Sequence, residues 1–281
     1  MTGLLWLASY PKSGNTWLRI FLANLASGSS APAEINRLTT AQFAARELWD
    51  DLVGWETSEL LPSEREQLRL PAQMALAARM PDTPIKTHEV FADPQDGRRR
   101  FAAPAIRAVL YIVRNPLDVA VSLSHHNGES LDEAISFMND SRAALSARAN
   151  ALQEYQLICD WSTHVRSWAD APNLPVCVLR YEDMLAVPGR TFLRAAQAAG
   201  WPSDPAGVAR AVAQSRFEEL QRQEVEHGFG ERMANRPFFR QGRSGVWRGQ
   251  LTARQVGRIL ERHADTMRRF GYLAADGSIP R

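Results

Sequence analysis

Residues 4–17 read LLWLASYPKSGNTW, an apolar run that leads through a short polar turn into a second apolar pattern. The run at 4–10 is interrupted by Pro11 and predicts a buried β-strand. Apolar side chains then recur at helical spacing from Trp17 to Leu25, which predicts a helix directly after the turn. The start of a helix presents free backbone N–H groups and a partial positive charge. This stretch therefore predicts a strand–loop–helix element that binds a phosphate group.

The turn carries side chains that favour an anion. Gly14 allows the backbone to approach the anion closely, and Ser13, Asn15 and Thr16 add polar groups that donate hydrogen bonds. Lys12 adds a mobile positive charge. A Walker A loop has the order GxxxxGK[ST], in which lysine follows glycine. Here the lysine precedes the glycine in a shorter loop, so the element is P-loop-like and differs from a Walker A loop.

The rest of the chain alternates between short apolar runs and helical patterns. The runs predict buried strands at 84–87, 108–113 and 174–179. The helical spacing predicts helices near 41–80, 117–124, 144–168, 189–199, 205–221 and 252–269. We therefore expect an α/β fold with one domain over 1–281 and a central parallel β-sheet flanked by helices. Within it, 40–80 is predicted to be a mainly helical insertion, and the Gly- and Arg-rich segment 226–249 a long functional loop.

Composition excludes several classes of protein. Lys and Arg number 33 against 31 Asp and Glu, and the net charge of +2 argues against a polycation that coats nucleic acid. The two cysteines, Cys159 and Cys177, are too few for a disulfide framework and lack zinc-site spacing. No apolar run reaches the about 18 residues of a membrane-spanning helix, and the N-terminus lacks secretory-signal features. We expect a cytoplasmic protein that binds no metal, nucleic acid or membrane.

Two further segments place arginine where a phosphate could bind. RNPLDVAVS at 114–122 follows the clearest strand, so Arg114 is predicted at the strand end where open α/β sheets bind ligands. RQGRSGVWR at 240–248 is a basic, glycine-containing loop. A guanidinium group presents a fork of N–H donors that matches phosphate oxygens.

Taken in order, these segments resemble the signatures of the cytosolic-type sulfotransferases. YPKSGNTW at 10–17 resembles the family's YPKSGTTW, and 114–122 resembles its RNxxDxxVS segment. The loop at 240–248 resembles RKGxxGxW, the YEDM at 181–184 matches a family YEDM, and 215–217 resembles a Ser-x-Phe element. The matches run from residue 10 to 247 in family order, so the resemblance spans most of the chain.

The resemblance implies a sulfuryl donor, 3′-phosphoadenosine-5′-phosphosulfate (PAPS), with 3′-phosphoadenosine-5′-phosphate (PAP) as product. It implies that Thr16 and the loop amides hold the 5′-phosphate, and that the 240–248 loop closes over the 3′-phosphate held by Arg114, Ser122 and Arg240. Aromatic residues would contact the adenine. The implied donor-binding residues are Lys12, Ser13, Gly14, Asn15, Thr16, Trp17, Arg114, Ser122, Tyr181, Phe217, Arg240, Gln241 and Gly242. Gln241 replaces a family lysine and Val246 an aspartate usual in the animal enzymes, so this loop lacks one cation and one carboxylate of the family pattern.

Catalytic roles follow from Lys86-Thr87-His88, which resembles the family's Lys-x-His element. Alternation along a strand places Lys86 and His88 on one face. The resemblance implies that His88 is the general base and that Lys12 and Lys86 stabilise charge on the transferring sulfuryl group. A histidine of near-neutral pKa suits removal of a proton from an attacking hydroxyl. We read His164, His227 and His263 as structural or surface residues, and His125 and His126 as either acceptor-cleft or solvated residues.

The sequence thus predicts in-line sulfuryl transfer to a hydroxyl, less favourably an amine, of a small-molecule or natural-product acceptor. Two alternatives stay open: a nucleotide kinase or NTPase, and a non-catalytic module that binds PAP or PAPS. The acceptor itself is not specified. Segment 248–257 keeps Thr252 of the animal relatives' KxxxTVxxxE dimer motif but lacks its Val and Glu, so the oligomeric state is also open.

Overall fold

The computed structural model describes residues 3–145, 152–232 and 236–280. Its strands, numbered in chain order, are β1 (Leu4–Ser9), β2 (Ala41–Gln42), β3 (Pro84–Thr87), β4 (Ile106–Val113), β5 (Ala144–Leu145), β6 (Gln156–Leu157) and β7 (Val176–Arg180). Its α-helices are α1 (Asn15–Ser27), α2 (Arg46–Val53), α3 (Pro62–Arg79), α4 (Pro116–Asn127), α5 (Leu131–Asn139), α6 (Trp161–Ala169), α7 (Tyr181–Ala186), α8 (Pro188–Ala198), α9 (Pro205–Gln214), α10 (Phe217–His227) and α11 (Ala253–Arg269).

Five of the strands form one sheet in the order β2-β3-β1-β4-β7, and every pairing in it is parallel. The first strand lies at the centre: Leu7 pairs with Lys86 on one side and with Leu110 on the other. Side chains of this strand alternate between the two faces of the sheet. The predicted α/β fold with a central parallel sheet is confirmed.

Both faces of the sheet are covered. Leu5 and Leu7 pack with Phe21 of α1 and Phe192 of α8 in one apolar core. Leu4, Trp6 and Ala8 belong to the opposite core, which includes Trp168 of α6 and Ile259 of α11. Burial on both faces explains why the sheet strands are read in the sequence as continuous apolar runs.

The helix predicted at 144–168 is wrong. Strands β5 and β6 form an antiparallel ribbon there, and the helix α6 begins only at Trp161; residues 146–151 lie outside the described part of the chain. Cys159 adopts a left-handed φ of 61°, which ends any helix before it, and Asp160 caps α6 by accepting a hydrogen bond from Thr163 N. The backbone of this segment bonds to neighbouring segments, and those tertiary contacts override its helical pattern.

The helix predicted at 205–221 is divided into α9 and α10 at Ser215 and Arg216. The carbonyl of Ser215 accepts a hydrogen bond from Trp17 Nε1 at 2.8 Å, and its hydroxyl accepts one from Asn24 Nδ2 at 3.1 Å. The Trp17 side chain thus takes up a carbonyl that would bond within a continuous helix. Segment 40–80 contains the edge strand β2 followed by the helices α2 and α3.

Loops at the carboxyl ends of β1, β3, β4 and β7 all open to the same edge of the sheet, because these strands are parallel. Segment 228–249 runs across this edge and contains no helix or strand among its described residues. In the parts of the chain that the structure covers, no helix is both long and apolar enough to cross a membrane.

Candidate active site

A cavity of about 1090 Å³ lies at the carboxyl edge of the sheet. Every site residue predicted from the sequence lines it except Ser13. We call the side above β1, β4 and β7 the basic half; it includes Lys12, Arg114, Arg240 and Arg243. We call the side next to β2 and β3 the amide half; its lining includes Gln42, His88, Gln153 and Gln156. Lys86 lies where the halves meet.

The loop between β1 and α1 has the backbone that its sequence predicts. Gly14 precedes the first residue of α1 at a φ of 107°, and a side chain there would come within 2.7 Å of the Tyr181 ring. Asn15 does not present its amide nitrogen to the cavity, because Nδ2 donates to Leu7 O at 2.9 Å. The Ser13 hydroxyl is buried and has no hydrogen-bond partner among the described residues. The free N–H groups at the start of α1 therefore remain the main anion-binding feature of this loop.

Lys12 projects into the cavity from this loop. Its Nζ lies 3.8 Å from the centroid of the Phe238 ring, a cation–π contact. Burial, together with the neighbouring charges of Arg114 and Lys86, lowers the pKa of Lys12 to about 7. The ammonium group is thus poorly compensated, and an anion that entered the cavity would stabilise its charged form.

Arg114 is fixed by two contacts at the end of β4. Its Nη1 donates to Lys12 O at 2.9 Å, and its guanidinium lies 4.2 Å from the centroid of the Tyr181 ring. Its Nε is buried without a partner among the described residues. Burial, followed by the charges of Arg114 and Arg243, lowers the pKa of Arg240. The basic half is therefore a cluster of guanidinium groups that form no ion pair with a carboxylate among the described residues.

Aromatic side chains form the wall of the basic half. Gly242 has a φ of 57°, and a side chain there would come within 2.3 Å of the Phe217 ring, so the 240–242 backbone lies directly against that ring. Trp17 makes edge contacts with Tyr181 and Phe192, at centroid separations of 5.9 and 5.3 Å. This wall places three aromatic rings, those of Trp17, Tyr181 and Phe217, beside the guanidinium cluster.

Asp118 is a functional residue that the sequence reasoning did not single out. It is 1% exposed, and its two carboxylate oxygens accept hydrogen bonds from Gly245 N at 2.7 Å and Trp247 N at 3.0 Å. It thereby fastens the 240–248 loop to the start of α4. The sequence does mark this position, because Asp118 is the aspartate of the RNPLDVAVS segment.

His88 follows β3, and a hydrogen bond from its ring fixes its orientation. Nδ1 lies 2.8 Å from Ser9 O, a carbonyl that can only accept, so Nδ1 carries the proton and Nε2 bears the lone pair. Nε2 has no hydrogen-bond partner in the described ranges. Burial, with the nearby Lys86 charge, lowers the pKa of His88 to about 3, so the ring is neutral near pH 7. The near-neutral pKa expected from the sequence is therefore not found in the protein alone: Nε2 offers a free lone pair, but burial and the Lys86 charge make it weakly basic.

The backbone around His88 is also fixed. His164 Nε2 donates to His88 O at 3.0 Å, while its Nδ1 accepts from the Tyr111 hydroxyl at 2.9 Å. The next residue, Glu89, is 1% exposed and bonds to Arg69 Nη1 at 2.9 Å and Arg100 Nε at 2.8 Å. These contacts hold the position of His88 from both sides.

Glu231 is a second residue that the sequence reasoning missed. Its carboxylate bridges Lys86 Nζ at 2.9 Å and Arg19 Nη1 at 2.5 Å. Burial raises the pKa of Glu231, but the charges of Lys86 and Arg19 outweigh burial and hold this pKa at about 2. No residue pattern marked Glu231, because its partners lie on α1 and β3, more than a hundred positions away in the chain.

The remaining histidines take different positions. His126 lines the cavity beside Phe238, and burial lowers its pKa to about 4. His125 Nε2 contacts Pro237 O at 3.2 Å, outside the cavity lining. His164 and His263 are buried in the interior, whereas the side chain of His227 is 65% exposed.

Comparison with known proteins identifies the family of this chain. The family model for the sulfotransferase domain matches residues 3–271. The chain belongs to the sulfotransferase family. This sulfotransferase is 24% identical to flavonol 3-sulfotransferase of Flaveria bidentis over 268 residues, which cover 90% of this chain and 78% of the relative. It is also 24% identical to cytosolic sulfotransferase 8 of Arabidopsis thaliana, over 90% of this chain and 73% of that one.

Solved structures share the fold of this sulfotransferase. A mouse sulfotransferase in complex with PAP superposes with a TM-score of 0.61 at 19% identity, covering 95% of this chain and 85% of the other. A retinol dehydratase in complex with androsterone and PAP superposes with a TM-score of 0.62 at 18% identity, covering 94% and 80%. The sheet and helices described above are therefore those of a sulfotransferase.

Proposed function

We propose that this sulfotransferase takes the sulfuryl group from PAPS and transfers it to a hydroxyl group of a small-molecule acceptor, with His88 as general base. One observation carries the proposal. One cavity is lined by a guanidinium cluster that has no ion-pair partner and a His88 lone pair that has no hydrogen-bond partner in the part of the chain that the structure describes, and by Lys12 and Lys86. An anionic leaving group, two cations and a neutral base are the components that sulfuryl transfer requires.

The basic half fits PAPS. Arg114 lines this half, and its Nε is a buried hydrogen-bond donor without a partner in the described ranges, which a phosphate oxygen would satisfy. Arg114, Ser122 and Arg240 would hold the 3′-phosphate, and Thr16 with the first N–H groups of α1 would hold the 5′-phosphate. Arg243 lines the same half and supplies a cation where Gln241 lacks one. PAP bound in the two similar structures supports this assignment.

The aromatic wall fits the adenine. A base that stacks on an aromatic side chain gains about 1–3 kcal/mol. Trp17, Tyr181 and Phe217 line the basic half, and Gly242 allows the covering loop to lie against Phe217. We propose that segment 226–249 covers the bound nucleotide, and that Asp118 holds this segment in the covering position through Gly245 and Trp247.

PAPS supplies an activated sulfuryl group, and the residues of the chain carry out the rest. His88 Nε2 accepts the proton of the attacking hydroxyl while Nδ1 stays bonded to Ser9 O. Lys12 and Lys86 stabilise the negative charge that develops on the sulfuryl and bridging oxygens. Much of the rate enhancement would come from the alignment of the two substrates in one cavity.

The test is calorimetric binding of PAP and of ADP, without Mg²⁺, to the wild type and to Arg114→Ala. We expect tight PAP binding, weaker ADP binding, and a loss of about 100-fold in PAP affinity in the variant, since a charge-assisted phosphate contact is removed. The matched control is Arg37→Ala, whose side chain is 79% exposed and which lies outside the cavity; its PAP affinity should match the wild type. Equal binding of PAP and ADP would contradict the assignment and favour a kinase.

A further inference from the structure

Lys86 differs from the other cations of the cavity lining because it has a carboxylate partner. Its Nζ lies 2.9 Å from Glu231 Oε2, whereas Lys12, Arg114 and Arg240 form no ion pair in the ranges that the structure describes. Glu231 itself lines the cavity. A carboxylate at an anion-binding site repels the anion unless its own charge is matched, so its presence beside Lys86 requires another role.

Arg19 holds Glu231 from outside the cavity. Its Nη1 lies 2.5 Å from Glu231 Oε1, its side chain is 4% exposed, and it is not part of the cavity lining. The two carboxylate oxygens therefore have different partners: Oε1 faces the buried guanidinium of α1, and Oε2 faces Lys86. Arg19 thus fixes the orientation of the carboxylate and matches its charge, so that Glu231 can act on Lys86 without making the cavity negative.

The contact with Glu231 gives the Lys86 ammonium group a direction. A lysine side chain is flexible and ends in three N–H donors. Glu231 accepts one of these donors, and Nζ has no other hydrogen-bond partner within the described ranges. Two donors are therefore left for the oxygens of a bound group. A residue that contacts a functional side chain from behind restricts its orientation in the same way that outer-shell residues orient metal ligands.

The same contact maintains the positive charge of Lys86. Burial lowers the pKa of Lys86, and the carboxylate of Glu231 acts against this decrease. The titratable groups that face Lys86 are Glu231, Arg19, Lys12, His88 and His126. Glu231 is the acid among them, so without it a buried ammonium group would face only cations and neutral rings and would lose its proton more readily.

Building on the proposed function, we propose that Glu231 is a positioning residue for sulfuryl transfer: its carboxylate, held by Arg19, aims Lys86 Nζ at the sulfuryl group of bound PAPS. In the transfer step the acceptor oxygen forms a bond to sulfur as the bond between sulfur and the bridging phosphate oxygen breaks. The electron pair of that bond leaves with PAP, and the acceptor proton passes to His88 Nε2. Lys86 keeps its proton throughout, and Glu231 touches neither substrate.

The experiment compares the binding of two nucleotides that differ by the sulfuryl group alone. PAPS and PAP are titrated calorimetrically, without an acceptor, into the wild type and Glu231→Gln. We expect PAPS affinity to fall about tenfold in the variant, the effect of one misaligned hydrogen bond to a charged group, while PAP affinity stays unchanged. A merely structural role for Glu231 would not distinguish the two nucleotides.

A double-mutant cycle identifies Lys86 as the residue through which Glu231 acts. Lys86→Met should by itself lower PAPS affinity relative to PAP affinity. Addition of Glu231→Gln to Lys86→Met should lower PAPS affinity no further, because the group that Glu231 aims is already absent. The matched control is Glu226→Gln, at a side chain that is 45% exposed and lies outside the cavity lining; it should bind both nucleotides as the wild type does.

A second background removes the effect of Glu231 on stability. Glu231→Gln leaves the charge of Arg19 buried without compensation, whereas Arg19→Met and the double variant Arg19→Met/Glu231→Gln contain no such charge. The comparison between these two proteins should show the same PAPS-specific loss of about tenfold. Unchanged PAP affinity in each protein shows that the nucleotide site is folded.

Four results overturn the inference while leaving PAP binding in place. They are unchanged PAPS affinity in Glu231→Gln, equal losses of PAPS and PAP affinity, an undiminished effect of Glu231→Gln in the Lys86→Met background, and a gain in PAPS affinity. The last result would show that Glu231 competes with the sulfuryl group for Lys86. Absence of PAP binding by the wild type overturns the proposed function and this inference together.

Discussion

Asp118 holds the backbone of Trp247, with its Oδ1 3.0 Å from Trp247 N, while its Oδ2 accepts from Gly245 N. One carboxylate thus joins the helix that follows Arg114 to the loop that contains Arg240. The two arginines assigned to the 3′-phosphate belong to segments 126 positions apart, and this carboxylate fixes how those segments meet.

Asp118→Asn should loosen this junction. An asparagine can accept only one of the two hydrogen bonds, and its amide nitrogen would face a backbone N–H. We expect the free energy of unfolding to fall by about 1–3 kcal/mol and PAP affinity to fall about tenfold. Denaturant unfolding and calorimetry measure the two effects. Asp265→Asn, at a side chain 94% exposed, is the control and should change neither; an equally stable Asp118→Asn with full PAP affinity would contradict the junction.

The pH dependence of PAP binding should report on Lys12. Its pKa of about 7 in the free protein lies far below the usual lysine value, and a bound phosphate would raise it. Binding above pH 7 therefore takes up a proton, and PAP affinity should fall by about tenfold per pH unit between pH 7 and 9. Calorimetry in buffers of different ionisation enthalpy measures the uptake directly. Lys12→Arg stays charged throughout and should flatten the profile; an unchanged slope in that variant would assign the proton to another group.

His88→Asn should separate catalysis from binding. The asparagine amide can still donate to Ser9 O, but it offers no lone pair in place of Nε2. We expect kcat to fall by about 10²–10⁴-fold with PAP affinity unchanged, measured as initial rates with an accepted hydroxyl compound and as calorimetric binding. Because burial lowers the pKa of His88 to about 3 in the free protein, protonation of this base should not reduce kcat/KM for PAPS between pH 5 and 8. His227→Asn, which is exposed, should retain full activity.

Glu231→Gln should destabilise the protein through Arg19. The Arg19 side chain is 4% exposed, and Glu231 is the carboxylate that it pairs with, so its charge would be left buried without compensation. We expect a loss of about 3 kcal/mol in the free energy of unfolding near pH 7. Since the pKa of Glu231 is lowered to about 2, the wild-type advantage should persist at pH 5 and disappear as the pH approaches 2.

The control for that prediction is Glu34→Gln, which breaks an exposed pair with Arg37 and should cost less than about 1 kcal/mol. A double variant, Glu231→Gln with Arg19→Met, should recover much of the lost stability. Equal stabilities for the wild type and Glu231→Gln would show that the bridge does not stabilise the fold.

Local patterns predicted the elements that position the phosphate site. The strand at Leu4–Ser9 and the helix that begins at Asn15 follow from an apolar run, a glycine and helical spacing, all within 25 residues. Periodicity failed at 144–168, because the extended backbone there is held by hydrogen bonds to Ala44 and Val90, which are remote in sequence. Local patterns had the same limit at the site. They identified the motif residues that line the cavity, but they did not identify Glu231, because its ion pairs join segments that are remote in sequence.

The order of the strands places two parts of the cavity lining at different positions across the sheet. The loops to which we assign the nucleotide follow the central and far strands, whereas another part of the cavity lining comes from the two-residue edge strand at Ala41–Gln42 and the short ribbon beside it. Both are short pieces at the margin of the sheet, yet Leu157 of the ribbon is 1% exposed and packs with Val90 and Cys159. A change in this part of the lining therefore has to preserve that contact with the segment that follows His88, whereas the strands beneath the loop of Lys12 and Gly14 need not change.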